Sequence, residues 1–216
     1  MHKGSPLLSA QAYSSVNTHT PNTICGLLLA GGQGRRMGGV DKGLIDWRGL
    51  PLAQRAFDRL KAQTGTILIS ANRSFDLWQR FGVPVIPDSP DDAHFRGPLA
   101  GVLAGLGASS CPWLAIAPCD VPFLPLDLVQ RLYAGLQQAA TPAAVARCAH
   151  RLHPTFMLLN RCVQPLLEDF MATGQRQLSR WVAAVGAIVV DFDDPEAFIN
   201  VNTPADFASI LHRDTA

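Results

Sequence analysis

A short apolar run, Ile24 to Ala30, passes directly into a stretch that holds six glycines, two arginines, a lysine and one acid between residues 31 and 43. A continuous apolar run of that length, stopped by glycine, suits a strand buried on both faces. Such a strand needs helices above and below it, which points to a layered α/β fold. The glycines remove side chains where backbone N–H groups can close on an anion, and the cations add attraction for one. In open α/β sheets ligands lie beyond the carboxyl ends of the strands, where this loop would stand.

The rest of the chain repeats the alternation. Apolar runs at 66–71, 83–87, 113–119 and 187–192 read as strands. Between and after them, 51–63, 74–82, 97–109, 126–138, 161–174, 176–186 and 203–213 read as helices. The spacing of Ala53, Ala56, Phe57 and Leu60, and of Leu128, Val129, Leu132, Tyr133 and Leu136, gives each of those two helices one apolar stripe. Pro51 falls at a first helical position, and Thr203 with Pro204 at a helix start. The segment 97–109 is rich in small residues and can pack close to a sheet. Two strands in succession, 143–149 and 155–160, break the alternation and add an antiparallel strand. The pattern predicts one three-layer α/β domain over residues 22–216 with a mainly parallel, mixed sheet. Residues 1–21 read as a poorly ordered extension outside the fold.

With 216 residues, 48% of them hydrophobic, the chain can bury one sizeable core. A net charge of +1 is too small for a protein that coats nucleic acid, so the cations of the glycine loop act locally. No apolar run reaches the roughly 18 residues of a membrane helix, and the start lacks a secretory signal pattern. A cytoplasmic location without membrane attachment is expected. The five cysteines, Cys25, Cys111, Cys119, Cys148 and Cys162, are widely spaced and read as reduced thiols rather than a zinc or redox motif.

Counting separates the phosphate loops. A Walker loop would place Lys before Ser or Thr after a second glycine. Lys42 instead follows Asp41 and precedes Gly43. A dinucleotide fingerprint begins at Gly32-Gln33-Gly34 but meets Met37 where the third glycine belongs. What remains is L-A-G-G-x-x-x-R-M-G-x-x-K: Leu29, Ala30, Gly31, Gly32, Arg36, Met37, Gly38 and Lys42. This resembles the glycine-rich signature of nucleotidyltransferases, and LAGGQGRRMGGVDK more narrowly resembles the molybdenum cofactor guanylyltransferases. SANR at 70–73, IPDS at 86–89, GPLAG at 97–101, PCDVPF at 118–123, HPTF at 153–156 and INVNTPADF at 199–207 carry the likeness across residues 24–210.

The resemblance implies a Rossmann-like fold and a magnesium-dependent reaction. GMP passes from GTP to the terminal phosphate of molybdopterin, pyrophosphate leaves, and molybdopterin guanine dinucleotide forms. GTP and molybdopterin are the implied partners, and cofactor-delivery proteins are a further class it allows. It assigns Arg36 and Lys42, with help from Arg35, to phosphate, and Asp120 to the metal. Leu29, Ala30, Gly31, Gly32, Lys42, Ser70, Asp88 and Asp120 fall to the nucleotide, Asp88 as an acceptor for guanine. Asn200, Asn202 and His153 fall to the acceptor side. Turn-forming readings stand beside these last three. Asn200 or Asn202 would order the approach to Thr203, and His153 the turn before Pro154. Ser70 departs from the asparagine often found there and cannot offer an amide's paired donor and acceptor. Either serine does a reduced job or Asn72 reaches in.

Trp47, Trp78, Trp113 and Trp181 read as packing, and Asp191, Asp193 and Asp194 as a solvated strand end. A cytidylyltransferase of the same pterin or a sugar-phosphate nucleotidyltransferase would favour L-A-A-G over L-A-G-G. A non-catalytic nucleotide-binding protein would be free to lose Lys42 or Asp120, and both are present.

Overall fold

The computed structural model describes residues 21–31, 41–47, 49–88, 97–201 and 206. Gly32, Arg35, Arg36, Asn202 and the helix expected over 203–213, Asp206 excepted, lie outside them. A seven-stranded sheet runs in the order β5-β4-β1-β6-β8-β7-β9. The strands are β1 (Ile24–Leu29), β4 (Thr66–Ser70), β5 (Val85–Ile86), β6 (Trp113–Pro118), β7 (Ala143–Cys148), β8 (Arg151–Asn160) and β9 (Ile188–Phe192). Only β8 runs against the other six. The mainly parallel mixed sheet expected from the alternation is therefore observed. A two-residue-per-strand hairpin, β2 (Asp46–Trp47) and β3 (Leu50–Pro51), stands apart and was not foreseen. Pro51 closes that hairpin, and the first helix starts one residue later.

The central strands β1 and β6 are buried on both faces, and the period of two sorts their side chains. In β1, Ile24 and Leu28 face one core while Cys25 and Leu27 face the other. In β6, Trp113, Ala115 and Ala117 share the first core, and Leu114 and Ile116 the second. Helices α1 (Leu52–Lys61) and α4 (Leu128–Ala139), with Trp78 of α2 (Phe75–Trp78), cover the first face. Helices α3 (Pro98–Ala108), α5 (Gln164–Ala172) and α6 (Leu178–Ala184) cover the second. The small residues of α3 bring it close to the sheet: a Cβ on Gly105 would lie 2.6 Å from Leu27 Cδ2.

All four tryptophans are buried, as expected. No helix among the described residues is long and apolar enough to cross a membrane. None of the five cysteines forms a disulfide.

The segment HPTF does not form a turn. It lies inside β8, whose pairing with β7 jumps from Val145↔Met157 to Ala146↔His153. Pro154, Thr155 and Phe156 fall in that irregularity, where a proline without an N–H breaks no ladder bond.

The chain leaves β1 for β4 and β5 on one side, and α3 carries it back to β6 on the other. The strand order thus reverses between β1 and β6, and a crevice opens there beyond the carboxyl ends.

Candidate active site

That crevice is a cavity of about 290 Å³. Leu29, Ala30 and Gly31 leave β1 into it, Ser70 ends β4, Asp88 follows β5, and Pro118 ends β6 with Cys119 and Asp120 after it. Asp41, Lys42 and Gly43 return to it from the glycine loop, and Pro98 and Gly101 enter from the first turns of α3. Thr155 and Asn200 complete the wall. Residues as far apart in sequence as Leu29, Lys42, Ser70, Asp88, Asp120 and Asn200 therefore meet in one place. His153 does not join them. It lines a neighbouring cavity of about 660 Å³ with Arg151 and Phe198, and Asn200 is common to both.

One wall is a hydrogen-bonded carboxylate. Ser70 Oγ donates to Asp88 Oδ1 at 2.5 Å, and Asn72 Nδ2 donates to Asp88 Oδ2 at 2.7 Å. The Asp88 N–H donates to Asn72 Oδ1 at 2.9 Å, so Asn72 and Asp88 hold each other at two points. Serine thus bonds one carboxylate oxygen and Asn72 the other. The Ala30 N–H is spent on Ser70 O at 2.8 Å, which leaves Ala30 as a lining residue rather than a backbone donor to a ligand. The Gly31 N–H has no partner among the described residues. Gly101 gives the Ser70–Asp88 pair its room, since a Cβ there would lie 2.5 Å from Ser70 Oγ and 3.0 Å from Asp88 Oδ1.

The opposite wall carries Asp120. Asn200 Nδ2 donates to its Oδ1 at 2.8 Å, and the Val201 N–H donates to its backbone oxygen at 2.8 Å. Burial pushes the Asp120 carboxyl above its ordinary range, against the hydrogen bond from Asn200 and the charge of Lys42. Burial disfavours the charge on this carboxylate, so the site gains by meeting a cation. Magnesium takes one or two carboxylates together with phosphate oxygens and water. A hard oxygen donor beside a neutral amide fits that demand. Among the described residues no group of three or more acidic, histidine or cysteine side chains could hold a metal ion.

Lys42 opens a one-turn 3-10 helix, Lys42–Leu44, with the Leu44 N–H bonded to Asp41 O at 2.9 Å. Gly43 lets this turn press on the sheet end: a Cβ would lie 2.8 Å from Trp78 Cη2 and 2.9 Å from Cys119 Sγ. The Asp41 side chain is 3% exposed and is ion-paired with Arg73 Nε through Oδ1. Its Oδ2 is buried with no hydrogen-bond partner among the described residues. Composition hid this residue, although it is the one acid of an otherwise cationic loop.

Two candidate proton carriers are unsuited to the task. The Cys119 thiol is pushed well up by burial and by the charges of Asp120 and Asp41, so it stays protonated. His153 is pushed down by burial and by the charge of Arg151, so its ring is neutral at pH 7. It packs on Phe198 at 4.6 Å.

Likeness to known proteins follows the same residues. Residues 26–188 match the family described as the MobA-like NTP transferase domain. A molybdenum cofactor guanylyltransferase of Cupriavidus metallidurans is 45% identical over 185 residues, 83% of this chain and 90% of the relative. One of Yersinia pseudotuberculosis is 46% identical over 187 residues, 86% of this chain and 93% of the relative. Among solved structures, the molybdopterin-guanine dinucleotide biosynthesis protein A of Archaeoglobus fulgidus superposes with a TM-score of 0.69 at 20% identity, over 89% of this chain and 98% of that one. The last likeness bears on the fold. The extent of the first three leaves one conclusion: the chain belongs to the MobA-like NTP transferase family.

Proposed function

We propose that this chain transfers GMP from GTP to the terminal phosphate of molybdopterin, a magnesium-dependent guanylyltransferase reaction that releases pyrophosphate. The observation that carries the reading is the meeting of Lys42, Asp120 and the Asp88 carboxylate in one cavity at the point where the strand order reverses.

The transfer makes a bond from an acceptor phosphate oxygen to the α-phosphorus of GTP and breaks the bond from that phosphorus to the oxygen leading to the β-phosphate. A phosphate monoester has its second pKa near 6, so the nucleophile is ionised at neutral pH without help. No general base is needed, in keeping with a protonated Cys119 and a neutral His153. What remains is to bring two polyanions together in line. Lys42 offsets charge on the triphosphate, as Arg36, Arg35 and the backbone of Gly31 and Gly32 do in this reading. Asp120 would hold magnesium, which would supply charge stabilisation for the departing pyrophosphate. Asn200 orients Asp120 through its 2.8 Å hydrogen bond. Asp88, held by Ser70 and Asn72, keeps a lone pair on each oxygen for the N1–H and exocyclic amine of guanine. Leu29, Ala30 and Gly31 line the nucleoside. The acceptor meets Asn200, Asn202 and His153 in this reading, which the shared lining of the second cavity by Asn200 and His153 supports.

Thermal melting with GTP, CTP or ATP, each with and without magnesium, tests the reading. At a hundredfold excess over the dissociation constant, the expected stabilisation by GTP with magnesium is about 2.7 kcal/mol. Pyrophosphate release from GTP in the presence of molybdopterin is expected to vanish in Asp120→Ala. Greater stabilisation by CTP, or release that survives that substitution, would overturn it.

A further inference from the structure

The turn that ends β4, residues 70–73, reaches three loops at once. Ser70 and Asn72 fix Asp88 beyond β5. The Ala71 N–H donates to Ile86 O at 3.0 Å, and Ser70 O takes the Ala30 N–H at 2.8 Å. Arg73 then turns the other way and pairs with Asp41, 32 residues earlier in the chain. The sequence alone gives this cation no partner. Its charge is directed to a carboxylate that is 3% exposed.

A carboxylate taken that far from water needs a compensating charge, and attraction within a weakly polar interior is strong. The second oxygen, Asp41 Oδ2, has no hydrogen-bond partner among the described residues, so Arg73 carries much of that compensation. The same residue's backbone oxygen starts the 3-10 turn on which Lys42 sits. A lysine ammonium stands on a flexible four-carbon stem, so its aim depends on how firmly its Cα is held. Gly43, against Trp78 and Cys119, fixes that turn from below. The Arg73–Asp41 pair fixes it from the side.

We propose that Arg73 and Asp41 form a positioning pair that aims Lys42 at the triphosphate, and that the adjacent Asn72 does the corresponding task for the base through Asp88. The inference rests on the reading of Lys42 as a phosphate ligand. One rigid turn then sets the two halves of nucleotide recognition, and they can be separated by substitutions at neighbouring residues. Neither Arg73 nor Asp41 needs to touch the nucleotide.

The experiment compares binding of GTP with binding of guanosine, which has no phosphates, to the full chain carrying Lys42→Ala, Arg73→Ala, Arg73→Lys, Asp41→Asn, or Arg73→Ala with Asp41→Asn. Arg73→Ala and Asp41→Asn should each weaken GTP by about tenfold or more, the loss typical of one hydrogen bond to a charged group, with guanosine affinity nearly unchanged. Arg73→Lys should restore part of the loss. The double substitution should be no worse than the worse single one, because the two residues act as a unit. Melting of the same samples reports folding, and the isosteric Asp41→Asn carries the test if Arg73→Ala does not fold. Equal weakening of GTP and guanosine would reduce the pair to a structural prop and overturn the proposal. If Lys42→Ala lowers the GTP-to-guanosine affinity ratio and the pair variants do not, the positioning role alone falls. If Lys42→Ala leaves that ratio intact, the phosphate role of Lys42 falls and takes this proposal with it.

Discussion

Gly101→Ala offers a sharp test of the geometry at the base-binding wall. An added Cβ would stand 2.5 Å from Ser70 Oγ, 3.0 Å from Asp88 Oδ1 and 3.1 Å from Leu29 Cδ2. Ordinary contact begins near 3.4 Å, so the hydroxyl has to retreat by about 0.9 Å, and α3 is held against β1 on the same face. Overpacking of this kind costs about 1–3 kcal/mol. In a domain of this size that corresponds to a fall in melting temperature of about 2–12 °C. The 2.5 Å bond from Ser70 to Asp88 cannot survive the retreat, so the carboxylate loses one of its two side-chain donors. Losing a hydrogen bond to a charged group is worth about 1.5–3 kcal/mol, which sets the scale for the loss of preference for GTP over CTP. The assay is a urea or thermal unfolding series with a parallel titration of both nucleotides. Ser70→Ala in the same chain removes the colliding atom. The double variant should recover most of the stability and none of the selectivity. A Gly101→Ala protein that unfolds within about 0.5 kcal/mol of the parent and keeps its nucleotide preference would refute the reasoning, because a surface-like tolerance is incompatible with those distances.

Two further outcomes are expected. Asp120→Asn should raise the melting temperature of the nucleotide-free protein at neutral pH while removing the extra stabilisation that magnesium gives with GTP. Burial raises the folded-state pKa of Asp120, so its ionised form weighs against folding above that pKa. That cost is absent below the unfolded-state pKa, so the advantage of Asp120→Asn should shrink as pH falls through the folded-state value. An advantage that grows toward acid would contradict the sign. Gly43→Ala places a methyl 2.8 Å from Trp78 and 2.9 Å from Cys119, both buried, so it should destabilise by about 1–3 kcal/mol in urea unfolding and weaken GTP more than guanosine.

Much of this was readable because it is written locally. Strands buried on both faces appear as continuous apolar runs, and α1 and α4 carry their stripes at helical spacing, so the layers and the place of the cavity followed. Ser70, Asp88 and Asp120 each stand at or just past a strand end, where the sheet topology gathers them, and Lys42 belongs to the loop motif that follows β1. Features that depend on distant partners were not readable. The β2–β3 hairpin has two residues per strand, too few for a period to show. Pro154 suggested a turn because a proline opposes a ladder, but the pairing irregularity against β7 removes the opposition and lets β8 begin at Arg151. Arg73 and Asp41 look like two surface charges until the fold closes the 32 residues between them. Asn72 could be suspected, but its two-point hold on Asp88 needs β4 and β5 to be neighbours.

The unforeseen hairpin has a physical use that ties these observations together. Trp47, Leu52, Phe123 and Val201 form a small apolar cluster of their own, separate from the two main cores. Trp47 meets Phe123 edge to face at 5.9 Å, and the Arg55 guanidinium lies 4.5 Å over the Trp47 ring. Each of the first, third and fourth members lies shortly after a polar residue of the cavity: Trp47 after Lys42, Phe123 after Asp120, Val201 after Asn200. The Asn200–Asp120 hydrogen bond cannot by itself set where these loops stand, and Lys42 sits on a flexible stem. Their apolar followers can, since an interdigitated aromatic contact has few alternatives and burying it is favourable in its own right. One patch of packing thus joins residues that follow three of the cavity's polar groups, and β2 supplies Trp47 to it. Loosening that patch should therefore disturb the spacing of Lys42, Asp120 and Asn200 together, whereas the Arg73–Asp41 pair acts on Lys42 alone.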